Sequence, residues 1–214
     1  MKFQMIGKTH EIVKEIKKEF RLSMNGVVST LQRRQGLDYR INFGIEIPRL
    51  KSIAAKFPHD EELAKTLWND NIRECKLLAI YLLPEESYHL VAEDWIARTP
   101  YTEIADQLSM HILHRLPGAT QKALEWTGRH EGIFQHCGYM TLSHLFRNGH
   151  GINATDEERL IGNIEAVFAE GSSTLRRNAY NTLLHYMESD DARVVNVNRI
   201  SLEKGYRNIL ELIQ

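Results

Sequence analysis

Ten histidines, two cysteines, a glycine-containing loop and one aspartate in an apolar setting are the parts of this 214-residue sequence with which chemistry could be done. His111 and His114 stand three apart, and His130, His136, Cys137 and His144 fall within fifteen residues, yet neither HExxH nor paired CxxC occurs. No metal site is therefore expected, and the histidines are assigned to solvent or to the core. The loop NGHGIN at 148–153 lacks the Lys-Ser/Thr and the preceding strand of a phosphate-binding loop and reads as a turn. No Gly-x-Ser-x-Gly elbow is present, and nothing calls for a cofactor. Asp106 is different. Within ARTPYTEIADQLSMHIL, residues 97–113, Ile104, Leu108 and Ile112 recur as one buried helical face. At about 100° per residue Asp106 falls roughly opposite Ile104, between the columns of Met110 and Leu113, with apolar groups on both sides of a carboxylate. Either Thr102, Ser109 or a neighbouring helix satisfies this acid, or it faces a place where a cation arrives.

Positive charge is the second signal. Arg33, Arg34, Tyr39, Arg40, Phe43, Arg49 and Lys51 cluster around a helix–loop–helix, and Arg73, Lys76, Arg176 and Arg177 add to it farther along. Guanidinium and ammonium groups with backbone amides at helix starts bind a phosphate backbone, although the same residues also make an ordinary solvated surface. Residues 1–57 carry twelve Lys/Arg against five Asp/Glu, a net +7, and the remainder carries −8. Such segregation suggests an anionic partner on the N-terminal part. The plain alternative is a solvated helix over 8–21 laced with Glu–Lys pairs.

These residues must be positioned by helices. The periodicity predicts an all-α chain with helices at 8–20, 23–35, 47–57, 60–68, 70–83, 85–97, 100–115, 118–128, 130–147, 156–169, 172–187 and 191–212, the last broken. Thr99 and Pro100 read as the N-cap and first turn of the seventh, Pro84 as the opening of the sixth with Glu85 and Glu86 behind it, and Thr155 with Glu158 as a capping box. Stretches 72–83 and 104–116 are apolar around most of the helix, as expected of helices sandwiched in a stack of antiparallel pairs with a concave face. A hydrophobic fraction of 43% and a charged fraction of 26% fit one compact domain over 1–214 rather than a disordered or fibrous chain. No apolar run reaches membrane-spanning length and the charged N-terminus is unlike a signal peptide, so a cytoplasmic monomer with no membrane partner and reduced, buried Cys75 and Cys137 is expected.

Three segments, YRINFGIEIPRLKSIAAKF at 39–57, ELAKTLWNDNIRECKLLAIYLL at 62–83 and WIARTPYTEIADQLS at 95–109, together resemble the DNA alkylation repair family, the AlkD-type alkylpurine DNA glycosylases. Phe43-Gly44, Leu67-Trp68, Arg73-Glu74 and Asp106 keep the family's order and spacing, and the likeness runs from about residue 25 to 187. The resemblance implies an α-solenoid of HEAT-like helical pairs with a cationic concave groove for alkylated duplex DNA. It also implies hydrolysis of the N-glycosidic bond of cationic purines such as 3-methyladenine and 7-methylguanine, with Asp106 as the carboxylate beside the deoxyribose. The DNA-contact set it suggests is Arg33, Arg34, Tyr39, Arg40, Arg73, Lys76, Tyr101, Thr102, His136, Arg176, Arg177 and Tyr180. The sequence departs from the family where a tryptophan precedes the aspartate, here Thr102 beside Tyr101. It departs again at the active-site arginine, here Cys137 beside His136, and at a second tryptophan, here Asn181 beside Tyr180. Two functions follow: a glycosylase with a cradle rebuilt from Tyr101, His136 and Tyr180, or a HEAT-like module that binds DNA or protein and has lost the reaction.

Overall fold

The computed structural model describes residues 2–188 and 190–213, with side chains over 9–188 and 190–211. All regular elements among the described residues are helical, and the one β-type pairing is an isolated parallel bridge between Ile41 and Ile72. The chain forms two compact units that divide inside one helix, between Val91 and Ala92.

The first unit contains α1 (Lys2–Leu22), α2 (Gly26–Arg34), α3 (Ile47–Ala54), α4 (Glu61–Trp68), α5 (Arg73–Leu82), the 3-10 turn Glu85–Ser87 and the start of α6 (Tyr88–Ala97). Helix α5 packs against both α3 and α4 and is buried along nearly its whole length, as its apolar sequence required. The first two residues of α5, Arg73 and Glu74, are buried and anchor a loop. Glu74 accepts from the backbone N–H groups of Phe43, at 3.1 Å, and Ile45, at 3.3 Å, while Arg73 donates to Glu74 at 3.1 Å and to the Ile45 carbonyl at 2.9 Å. Between those two amides Gly44 adopts φ +69°, and a Cβ there would lie 2.2 Å from the Asn25 carbonyl oxygen. The Phe43-Gly44 and Arg73-Glu74 pairs are thus two halves of one structural clamp. The charges of α1 pair across the unit, Lys17 with Asp70 and Glu19 with Lys56, rather than along the helix.

The second unit contains the end of α6, α7 (Thr102–His111), the 3-10 turn Leu113–Arg115, α8 (Ala119–Thr127), α9 (Gly132–Arg147), α10 (Ala154–Glu170), α11 (Ser173–Met187), α12 (Asp191–Lys204) and α13 (Arg207–Ile213). Helix α9 is its centre, packed on α7, α8 and α11. Side chains that meet across α7, α9 and α11 advance together: Asp106 meets His136, which meets Asn178; farther along, His114 meets His144, Tyr139 meets Thr182, Ser143 meets His185 and Phe146 meets Tyr186. The three helices therefore run parallel in one row. Helix α8 closes on α9 at Gly138, where an added Cβ would stand 2.8 Å from both the Ala123 oxygen and the Thr127 nitrogen.

Several helix ends differ from expectation. Tyr101, not Thr99, occupies the N-cap of α7, because the Thr99 hydroxyl is turned back to the Trp95 carbonyl at the end of α6. Helix α10 starts two residues earlier than expected, capped by Asn153, whose side chain accepts from the Asp156 N–H. Pro84 does open the 3-10 turn, with Glu85 and Glu86 behind it. The last helix is broken at Gly205, in the left-handed region at φ +71°.

Candidate active site

Helix α7 directs Ile104, Ala105 and Leu108 inward and leaves Thr102, Asp106 and Met110 as an i, i+4, i+8 stripe on its outer side. Met110 is largely exposed, so only Leu113 keeps the inward position that flanking columns on both sides of the acid would have required. The Asp106 side chain is 39% exposed. One of its oxygens, Oδ1, accepts from His136 Nε2 at 2.6 Å, and among the described residues this is its one side-chain partner. A neighbouring helix thus holds one oxygen of the acid, and solvent reaches the side chain.

His136 is buried, and its other ring nitrogen is also occupied. Asn178 of α11 donates through Nδ2 to His136 Nδ1 at 3.0 Å. With Nδ1 facing this amide, Nε2 is the ring nitrogen aimed at Asp106. The order is Asn178 to His136 to Asp106, from the inside outward. The carboxylate stands at the surface with a buried ring nitrogen behind it.

Cys137, next along α9, cannot supply the missing guanidinium. It is fully buried, desolvation raises its thiol to about 12, and the backbone carbonyl of the same residue receives the Ser109 hydroxyl at 3.5 Å. Cys75 is likewise free and buried in the other unit, with its thiol pushed up by burial. Among the described residues no group of three or more His, Cys, Asp or Glu could hold a metal ion.

The remaining expected contacts divide sharply. In the first unit Arg33, Arg34 and Arg40 are exposed. Tyr39 is buried, and Arg73 is locked into the Glu74 clamp, so neither belongs to a contact surface there. Lys76 donates to the Trp68 carbonyl at 2.7 Å and lies over the Trp68 ring, and its charge is already engaged within the fold. In the second unit Tyr101 is half-buried at the N-cap of α7 and Thr102 is exposed on the Asp106 stripe. His136 is a buried support of Asp106 rather than a surface contact. On α11, Arg177 and Asn181 flank the Asn178 side, whereas Arg176 and Tyr180 lie about 160° around the helix from it. Arg176 instead reaches the Ala169 carbonyl at 3.2 Å. An aromatic cradle drawing on Tyr180 together with His136 is therefore not assembled.

Sequence reasoning missed Asn178. Its signal was present: with Thr182 it places a polar residue on the inward face of α11, beside Ala179 and Leu183. What periodicity could not supply is the partner on α9.

Residues 16–196 match the family model for DNA alkylation repair enzymes. No curated protein and no solved structure matches the chain. The match covers most of both units and includes the Glu74 clamp, Asp106, His136 and Asn178. The chain belongs to the DNA alkylation repair enzyme family, and with it to the repair of alkylated DNA.

Proposed function

We propose that the protein is a DNA glycosylase that hydrolyses the N-glycosidic bond of cationic alkylated purines, 3-methyladenine and 7-methylguanine, in duplex DNA. The observation that carries this reading is the Asp106 carboxylate, exposed on one side and held from behind by a buried histidine. In an alkylated purine the ring already bears a positive charge. The C1′–N bond breaks with its electron pair passing to the base, which departs neutral without needing an acid. The sugar is left as an oxocarbenium ion, and a nearby anion stabilises it while orienting water toward C1′. The water oxygen then bonds to C1′, and its proton passes to the carboxylate and on to solvent. His136 suits this chemistry by holding one carboxylate oxygen at 2.6 Å and so fixing the direction in which the acid presents itself. The parallel row of α7, α9 and α11, with α8 and α10 packed beside it, supports the reading of stacked HEAT-like pairs in the second unit.

A second reading, a scaffold that binds DNA without cutting it, is favoured by one observation: the position aligned with the family's arginine is a buried neutral thiol. Duplex DNA treated with a methylating agent separates the two. The glycosylase reading expects release of 3-methyladenine and 7-methylguanine that falls on the order of 10²-fold in Asp106→Asn, the scale of losing one preorganised electrostatic contact. Release no faster than that of the variant, with DNA binding retained, establishes the scaffold instead.

A further inference from the structure

The second unit carries more acids than bases, sixteen Asp/Glu against twelve Lys/Arg over residues 92–214, yet it contains one dense cationic cluster. The 3-10 turn after α7 brings the His114 ring against His144 of α9, with centroids 4.3 Å apart. His114 Nδ1 donates to the Ser109 carbonyl at 3.0 Å, and Arg115 Nε donates to His114 Nε2 at 3.4 Å. The end of α9 adds Arg147, and Gly149 at φ +81° then turns the chain so that the His150 N–H donates to the Leu145 carbonyl. After its own burial, the groups that bear most on His144 are His114, Arg147, Arg115 and His150, and together they hold its imidazole below the ordinary range. Arg115, Arg147 and His150 are exposed.

A helix C-terminus attracts cations, and that alone could place a basic residue here. It presents only about half a negative charge, however, and two arginines exceed what it would neutralise. The placement is also directional. Arg147 is eleven residues from His136, three turns along the same stripe of α9, which amounts to about 16 Å.

We propose that Arg115, Arg147 and His150 form a phosphate-gripping surface for the backbone of duplex DNA, with the stacked His114 and His144 rings holding the turn after α7 against the end of α9. This rests on the reading above that DNA is the partner, and it assigns contacts to residues outside the set suggested by the family resemblance. Such contacts position the duplex and carry no base specificity.

Binding of the full-length chain to an alkylated and an unmodified duplex, measured between about 50 and 200 mM salt, tests the surface. Arg115→Gln/Arg147→Gln is compared with the wild type and with Arg159→Gln/Arg207→Gln, an equal loss of charge at exposed positions of the same unit. The surface predicts that the first variant loses affinity equally for both duplexes and that its salt slope drops by about 1.8, the loss of two phosphate contacts, while the control keeps the wild-type slope. A first variant that matches the control overturns the surface and leaves the proposed function standing. A wild type with no affinity for either duplex at low salt overturns the proposed function, and the partner assigned to this surface with it.

Discussion

At the scale of single residues the distinguishing feature is the division of labour among Asp106, His136 and Asn178. In the glycosylase proposed above, Asp106 would contact the reacting sugar, and His136 and Asn178, which touch it in series, would position it. Replacing His136 by leucine keeps a buried side chain but frees the carboxylate to rotate. Base release is then expected to fall on the order of 10²-fold, the cost of misplacing a reacting group by about 1 Å. His136→Gln, which retains an N–H donor, should recover part of that loss, whereas a purely structural role would leave the rate per folded molecule unchanged. Single-turnover release with the folded fraction measured independently distinguishes these outcomes. The cysteines lead to a simpler expectation. With Cys137 raised to about 12 and Cys75 also pushed up by burial, neither is a thiolate near neutrality. A thiol reagent should modify neither in the native protein and both after denaturation; rapid native labelling would contradict the burial that excludes Cys137 from chemistry.

At the scale of elements the sequence announced most of the helices and few of their contacts. The all-buried character of α5 was legible from its apolar run, and the inward face of α7 from Ile104, Leu108 and Ile112. Cap positions were less legible, because Thr99 can bond backward to the Trp95 carbonyl as readily as forward, and local spacing does not decide between them. Arg73 and Tyr39 misled in a different way: a basic or aromatic residue in a basic neighbourhood looks like a contact, and only tertiary structure shows that the Arg73 charge is consumed by Glu74. His136 was legible as a candidate but not in its role, which depends on a helix forty-two residues away. The clamp itself makes a prediction. Glu74→Gln leaves Arg73 buried beside a neutral amide and weakens the acceptor of two backbone N–H groups. It should cost about 3–5 kcal/mol, as when one partner of a buried ion pair is removed. Urea unfolding of the full chain measures this, and a loss under about 1 kcal/mol, the scale of an exposed pair, would show that the clamp is not structural.

At the scale of the whole molecule the family match spans both units. The first unit offers exposed Arg33, Arg34 and Arg40, while the second offers the surface around Arg115 and Arg147 together with the exposed acid. The concentration of positive charge before residue 58 was readable directly from composition, but the cluster in the acidic remainder was not, since it joins a turn after α7 to the end of α9. Arg33→Ala/Arg34→Ala/Arg40→Ala should weaken binding to any duplex and reduce its salt dependence, yet leave the release rate at saturating protein unchanged. A lower saturated rate would place those arginines in the chemical step.

The central claim is that an anion at Asp106 meets a sugar cation, and this can be measured without any leaving group. Duplexes containing a cationic pyrrolidine in place of the deoxyribose, or its neutral tetrahydrofuran counterpart, differ in the charge that the claim concerns. The wild type should bind the cationic duplex at least about 10²-fold more tightly, as expected of a transition-state mimic, and Asp106→Asn should erase that preference while keeping affinity for the neutral duplex. Equal affinity of the wild type for both duplexes would contradict the account.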